Sequence, residues 1–474
     1  MLPADHSRRS FLTATAGAAW QSSAQSARRP NILFLLTDDQ RSDALGCMGN
    51  RLIRTPVIDR LSAEGVTFLN NFCATAICMT SRACIFTGQF ERSHGISSFA
   101  QSLSPAAFAH TYPALLRKAG YRTGFIGKYG LGGDLPAAEF DYFKGFPGQG
   151  TYDQVADGKP IHLTDLQGDQ ALEFLENGSP EQPFCLSISF KAPHVQDEEK
   201  DPGRFHFAPR FESLYKDDVV PIPKTAQERY FDAMPAFLQN SEGHVRWKME
   251  FSTPEDYQRS VKGYYRLITG VDVVVGRIRD SLERRKLLDN TVIIFTSDNG
   301  FFLGERELSG KWLMHEESIR TPLIIRDPRL PAAARGKRRR EMTLNVDLAS
   351  TILGIAGIAP SPHMQGRDLS PLVRAESPAW RSDFYYSHLF ASKNIPKSEG
   401  IRNERWKYIR YIEADPLYEE LYDLQGDPLE ERNLARAGGH APQVAAMRDR
   451  WKTWRSAVEN WRPGTEWRDP PPVR

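Results

Sequence analysis

The segment "CMTSRACIFTG", residues 78–88, sets a thiol and a guanidinium four positions apart, ahead of an apolar run closed by Thr87 and Gly88. A helix over residues 80–86 puts Cys78 at its N-terminus, where free backbone N–H groups favour negative charge. Arg82, at i+4, then shares its face. The pattern suits an anion pocket with a reactive group in its mouth. It also suits a buried thiol beside a surface arginine. Two further stretches, "LTDD" (36–39) and "TSDNG" (296–300), each end an apolar run in acids. Asp38, Asp39, Asp298 and Asn299 offer carboxylate and amide oxygens, the donors a hard divalent cation takes. A flexible oxygen-rich set favours Ca2+ slightly over Mg2+. Arg82, Lys128, Lys311 and His194 supply cations or a proton carrier around them. A metal flanked by fixed cations suits a compact tetraoxo anion whose charge must be held during transfer.

These residues need strands to align them. "NILFLLTDDQ", "YRTGFIGK", "PFCLSISFKAPH", "TVIIFTSDNG" and "TPLIIRDP" read as buried strands, separated by helical stretches. "TPVIDRLSAEG" predicts a helix with Thr55 as N-cap, Pro56 at N1 and Gly65 as C′. "TYPALLRKAG" and "DQALEFLEN" predict two more helices, and residues 254–286 a long amphipathic one. Alternating strands and helices predict a large, mostly parallel sheet covered on both faces. In such a sheet ligands bind beyond the carboxyl ends of the strands. Asp38, Asp39, Lys128, His194, Asp298 and Asn299 all fall at those ends. Residues 195–250 are polar and aromatic with little periodicity, and predict a long functional or irregular connection. After about residue 375, "FYYSHLF", "RWKYIRYI" and "ELYDL" predict a small antiparallel sheet, with a helix from Ala441. The expected organisation is an export segment over 1–27, a catalytic domain over 28–375 and a smaller α+β domain over 376–474.

The chain has 474 residues, 61 Lys and Arg against 59 Asp and Glu, 40% apolar and 25% charged residues. A net charge of +2 supplies no global field for nucleic acid, so any anion site must be local. No apolar run reaches the ~18 residues of a membrane span. "SRRSFLTATAGAAW" carries Arg8 and Arg9 ahead of a small-residue apolar stretch, the form of a twin-arginine export signal. This predicts a periplasmic or secreted protein, exported folded. Five cysteines (Cys47, Cys73, Cys78, Cys84 and Cys185) leave at least one outside any intramolecular disulfide.

In order along residues 30–435, "NILFLLTDDQRSDALGCMGN", "CMTSRACIFTG", "GKYGLGG", "PFCLSISFKAPH", "TSDNGFFLGE", "GKWLMHEESIRTPLIIR" and "ELYDLQGDPLEERNLA" resemble the successive motifs of the type I sulfatases. These belong to the alkaline phosphatase superfamily. The resemblance implies an alkaline-phosphatase-like α/β fold and hydrolysis of a sulfate monoester, on a sulfated carbohydrate or another ester. It implies that a maturase oxidises Cys78 to formylglycine, whose hydrate attacks sulfur and also reaches the metal. Arg82 would steady that hydrate. Asp38, Asp39, Asp298 and Asn299 would hold the metal, and Lys128 and Lys311 the sulfate oxygens. His194 would help the leaving group depart as an alcohol.

Two positions depart from the family pattern. Thr80 stands where proline is usual, two residues after the cysteine. Gly130 stands where an imidazole usually follows "GKY"; His94 and His315 are candidates to replace it. The same metal and cations would also serve a phosphodiester or phosphonate hydrolase, and the missing imidazole would suit a non-catalytic glycan-binding relative.

Overall fold

The computed structural model describes residues 29–197 and 204–471. The export segment predicted over 1–27 lies outside the described residues.

In chain order, β1 (Asn31–Asp38), α1 (Pro56–Glu64), β2 (Val66–Phe72) and α2 (Cys78–Thr87) open the fold. They are followed by α3 (Tyr112–Lys118), β3 (Arg122–Lys128), β4 (Tyr142–Phe146), α4 (Leu163–Glu176) and β5 (Phe184–Pro193). Next come α5 (Glu242–Glu250), α6 (Pro254–Arg284), β6 (Thr291–Ser297), β7 (Arg320–Arg326), β8 (Lys337–Arg339) and α7 (Asp347–Ile355). The main sheet runs β8-β2-β7-β6-β1-β5-β3-β4, with the two-residue strand Thr343–Leu344 pairing with β2 off this path. Only β7 is antiparallel to its neighbours. All other pairings are parallel.

The apolar run of β1 is continuous because both its faces are covered. Ile32, Phe34 and Leu36 enter one core layer, with α2, α3 and α7. Leu33 and Leu35 enter the opposite layer, with α1, α4 and α6. This period of two is the strand pleat.

The predicted caps of α1 hold in position but not in mechanism. Thr55 is the N-cap residue, yet its side chain caps nothing. It donates to Asp59 Oδ1 at 3.1 Å and accepts from Gly46 N. Asp272 of α6 takes over, accepting from the N–H groups of Val57 (3.3 Å) and Ile58 (2.8 Å). Gly65 has φ −127°, not the left-handed turn expected of C′. It is glycine because an added Cβ would sit 2.4 Å from Ile325 O of β7.

Residues 195–250 are more ordered than their composition predicts. Among the described residues they carry short helices at Glu228–Asp232 and Ala236–Gln239, and then α5.

The C-terminal part forms the predicted antiparallel sheet: β9 (Asp383–His388), β10 (Ser398–Asn403), β11 (Trp406–Tyr411) and β12 (Tyr418–Asp423), with α8 (Ala441–Asn460) against it. Its docking uses buried polar contacts. Glu91 accepts from Ser387 Oγ (2.7 Å) and Leu389 N (3.1 Å). Burial pushes the Glu91 carboxyl from 4.5 up to about 8, against those two hydrogen bonds. Between these values the folded chain keeps a proton that the unfolded chain has released. Stability is therefore lost as pH rises through this window, by about 1.4 kcal/mol per unit for a single such group. Glu91→Gln should remove this slope. Denaturant midpoints of both proteins across the window check it, and a pH-independent difference between them would refute it.

Candidate active site

Strand register brings the predicted residues together. Thr37 of β1 pairs with Ser297 of β6, and Asp38 pairs with Pro193 of β5 across an irregularity. Gly127 of β3 pairs with Ser189 of β5. So Asp38-Asp39, Asp298-Asn299, His194 and Lys128 emerge side by side from four adjacent parallel strands. Helix α2 begins at Cys78 and brings that residue and Arg82 over the strand ends. Lys311 arrives from the loop before β7. Its neighbour Trp312 holds a left-handed backbone, φ 81°, pinned by Trp312 N–H to Ala76 O (3.0 Å) and Tyr386 O–H to Trp312 O (2.8 Å). A strained bulky residue beside a buried lysine is the kind of outlier that marks functional sites. All nine predicted residues gather in one cluster, none more than 5% exposed.

The contacts are ionic and dense. Arg82 does not project into an open anion pocket, as its spacing suggests, but clamps two carboxylates. Its Nη2 lies 3.0 Å from Asp38 Oδ2 and 2.9 Å from Asp298 Oδ2. Its Nε donates to Asp298 Oδ2 at 3.0 Å, and its Nη1 to Lys128 O at 2.6 Å and to Ser189 Oγ. Lys128 Nζ donates to Asp38 Oδ2 (2.5 Å), and Lys311 Nζ to both oxygens of Asp39 (2.6 and 2.7 Å). The Cys78 thiol donates to Asp38 Oδ1 at 3.4 Å. His194 Nδ1 donates to Val195 O at 2.8 Å, which fixes the tautomer and leaves Nε2 facing Asp39 Oδ2 across 3.6 Å.

Ligand atoms of Asp38, Asp39, Cys78 and His194 all lie within 4.8 Å of one another. Asp298 Oδ1 accepts from Asp39 N at 3.2 Å, and Asn299 Nδ2 donates to Asp39 Oδ1 at 2.6 Å. Asn299 Oδ1, also buried, has no hydrogen-bond partner. A buried acceptor left bare beside three carboxylates fits a cation, because an unsatisfied buried oxygen is otherwise costly. The donors are mostly hard oxygens, which suits Ca2+ or Mg2+.

Burial alone would raise every carboxyl here. Asp38 nevertheless stays well below the usual range, because the fixed cations Lys128, Arg82 and Lys311 together outweigh its desolvation. Asp39 is pushed up to about 7, since burial and the neighbouring Asp38 and Asp298 charges outweigh Lys311. Burial, then Lys311, holds His194 well below its ordinary value, so its ring is neutral. Burial, reinforced by Asp38, pushes the Cys78 thiol up to about 12.

Residues 30–358 match the family model described as Sulfatase, and residues 304–457 match that of N-sulphoglucosamine sulphohydrolase, C-terminal. The chain belongs to the sulfatase family. It is an enzyme that hydrolyses sulfate esters, and the fold is the alkaline-phosphatase-like one of that family. An N-acetylglucosamine-6-O-sulfatase of Bacteroides thetaiotaomicron is 32% identical over 86% of this chain and 83% of that protein. An arylsulfatase of Clostridium perfringens is 26% identical over 89% and 93%. A solved structure of a protein in complex with its substrate D-glucosamine-2-N,6-O-disulfate superposes with TM-score 0.81 at 29% identity, covering 92% of this chain and 99% of that one. The family implies a metal and formylglycine, and the buried Asp38-Asp39-Cys78-His194 group is compatible with both.

Both departures of this sulfatase from the family pattern have structural correlates. Thr80 is fully buried in the first turn of α2 and its Oγ1 has no hydrogen-bond partner. Gly130 has φ 76°, and an ideal Cβ there would lie 2.7 Å from Arg82 Cδ. Arg82 is locked by its own contacts and cannot yield freely. Gly130→His should therefore not restore an imidazole. It should cost about 2 kcal/mol or more through strain and overpacking, and lower turnover by displacing Arg82. Melting curves and steady-state rates check this, and faster turnover would refute it. Neither proposed substitute stands in the cluster. His94 Nε2 faces Cys84 Sγ at 3.4 Å, its Nδ1 accepts from Ile96 N, and burial pushes it down to about 3. His315 is buried in the field of Arg306 and Lys407, with Phe302 and Tyr422 as ring neighbours.

Three contributors escape motif reading. Gln149 Oε1 accepts from Lys128 Nζ at 2.5 Å; its only sequence signal is the pair of flanking glycines, both at positive φ. Arg246 of α5 and Asp197, 3.4 Å apart, border Lys311 and His194. They come from the stretch whose sequence has little periodicity. All five cysteines are free, so the odd count leaves no orphan of a disulfide set.

Proposed function

We propose that this sulfatase removes a 6-O-sulfate from an N-acetylglucosamine or related glucosamine unit of a sulfated glycan, after export to the periplasm or beyond. The observation that carries the reading is the buried cluster at the tip of α2, where three carboxylates and the bare Asn299 Oδ1 face three fixed cations. The substrate class is supported by likeness to the N-acetylglucosamine-6-O-sulfatase and to the disulfated glucosamine complex. Export is supported by Arg8 and Arg9 ahead of a small-residue apolar stretch.

Cys78, converted by a maturase that accepts Thr80, would supply the formylglycine nucleophile. Asp38, Asp39, Asp298 and Asn299 would hold Ca2+, with Mg2+ the alternative, which would screen sulfate charge. Carboxylates and fixed cations balance formally in the cluster, so a dication leaves it positive and matched to an anionic ester. Arg82 fixes Asp38 and Asp298 against their mutual repulsion and orients the N-terminus of α2. Lys128 and Lys311, charged because burial is outweighed by Asp38 and Asp39, bind sulfate oxygens. His194 faces the cluster through Nε2, with its proton held on Nδ1 by Val195 O. Nε2 is therefore a bare acceptor, and it would have to take up a proton, favoured by the bound ester's negative charge, before passing it to the ester oxygen as the alcohol departs.

A substrate series tests this on protein co-expressed with a maturase: 6-O-sulfated N-acetylglucosamine, an aryl sulfate, a phosphodiester and a phosphonate monoester. The amino-sugar sulfate should lead in kcat/KM by at least about tenfold, a difference of roughly 1.4 kcal/mol in transition-state binding. A preference for either phosphorus ester would favour the phosphoryl-type reading. Binding without hydrolysis of any of the four, in fully converted and metal-loaded protein, would favour a non-catalytic one.

A further inference from the structure

Asp197 and Arg246 are partly exposed charges beside Lys311 and His194, with side chains 28% and 20% accessible. Arg246 lies 5.2 Å from the Trp312 ring centroid, next to Lys311. One turn back along α5, about 6 Å, the N–H of Glu242 donates to Asn394 O at 2.8 Å. Asn394 belongs to the connection between β9 and β10, which walls a second cavity of about 610 Å3. Asn394, Ile395 and Pro396 also line the narrow gap beside Lys311 and Trp312. The catalytic cluster and this cavity thus share a wall.

The cavity has an aromatic floor. Phe237 lies 5.2 Å from Tyr411 and 5.6 Å from Tyr418, ring centre to centre, and the two tyrosines are 5.8 Å apart. Phe237 and Tyr418 are only partly buried. The rim is charged. Lys397 is paired with Glu413 at 2.7 Å. Lys393 is exposed and has no ion-pair or hydrogen-bond partner among the described residues. Arg436 stacks 5.5 Å from the Tyr418 ring and has no carboxylate partner there either. Against these two cations the lining offers one acid with no ion-pair partner among the described residues, Asp415.

Partly exposed aromatic rings beside unneutralised cations suit a ligand with apolar C–H faces and anionic substituents. Sugar rings bearing sulfate or carboxylate have both. We infer that this groove is a second subsite, taking the sugar units next to the sulfated one in an anionic oligosaccharide. The inference rests on the proposed amino-sugar activity only for what occupies the cluster itself. A second contact on the same chain acts intramolecularly, so it raises capture of oligosaccharides without a change in the chemical step.

The test compares the mature enzyme with Phe237→Ala and Lys393→Ala variants, neither of which touches the cluster. The probes are 6-O-sulfated N-acetylglucosamine and a size-defined heparin-derived hexasaccharide with the same ester on its terminal unit. Wild-type kcat/KM should be about tenfold or more higher on the hexasaccharide. Each variant should lose most of that advantage through KM, and stay within about twofold of wild type on the monosaccharide. Equal effects on both probes, or none on the hexasaccharide, would overturn the subsite. If Phe237→Ala unfolds, the surface change Lys393→Ala carries the comparison. Calorimetric titration of the hexasaccharide into Cys78→Ala, with and without Phe237→Ala, separates the groove from the substrate reading. Binding weakened by Phe237→Ala supports the groove even if the ester is not cleaved. Unchanged binding, or equal binding of polyglutamate, overturns it.

Discussion

Cys78→Ala should abolish sulfate-ester hydrolysis, by at least about 10⁴-fold in kcat, and leave the fold standing. Loss of one small buried group costs about 1 kcal/mol, so the melting temperature barely moves while the chemistry disappears. The reason is specific to this pocket. Burial, with Asp38 beside it, raises the Cys78 thiol to about 12. At neutral pH the unmodified residue is an uncharged thiol donating to Asp38, and a poor nucleophile. On the proposed mechanism, activity therefore requires conversion of the side chain. Mass spectrometry of the peptide spanning residues 78–82 should show the aldehyde or its hydrate in active preparations. Full occupancy by thiol in a preparation that turns over would sink the formylglycine reading.

Chelation of divalent cations should remove activity and lower the melting temperature together, and added Ca2+ should restore both. A cation bound only by the folded chain at a thousandfold above its Kd stabilises by about 4 kcal/mol. Asp298→Ala should reproduce the loss without chelator. That substitution alone is ambiguous, because it also strips Arg82 of one of its two buried carboxylates, a change worth roughly 3–5 kcal/mol. Asn299→Ala separates the effects. It deletes the bare Oδ1 while every charged pair in the cluster keeps its partner. Elemental analysis decides: full metal content in both variants would remove the β6 end from the metal site.

The comparison of Thr55 with Asp272, and of Gly65 with Ile325, shows where sequence reading stops. Strand ends, helix spans and the order of motifs were legible because they depend on local periodicity. The identity of the groups that satisfy a helix end was not, because they come from elements hundreds of residues away. Arg82 shows the same limit. Its spacing from Cys78 announced a shared helix face, but only packing shows that the face is turned onto Asp38 and Asp298 rather than outward.

By itself the sequence determined the alternating α/β architecture, the antiparallel C-terminal sheet and the nine cluster residues, since each sits at the end of an apolar run or in a compact motif. Tertiary structure decided what occupies the space around them. It set Gly130 against Arg82, so that no side chain fits where an imidazole was expected. It placed His94 and His315 elsewhere, and brought Gln149, Asp197 and Arg246 to the edge of the cluster. The physical reason is that periodicity encodes which face of an element is buried, whereas steric clearance and long-range pairing arise only when separate elements are packed together.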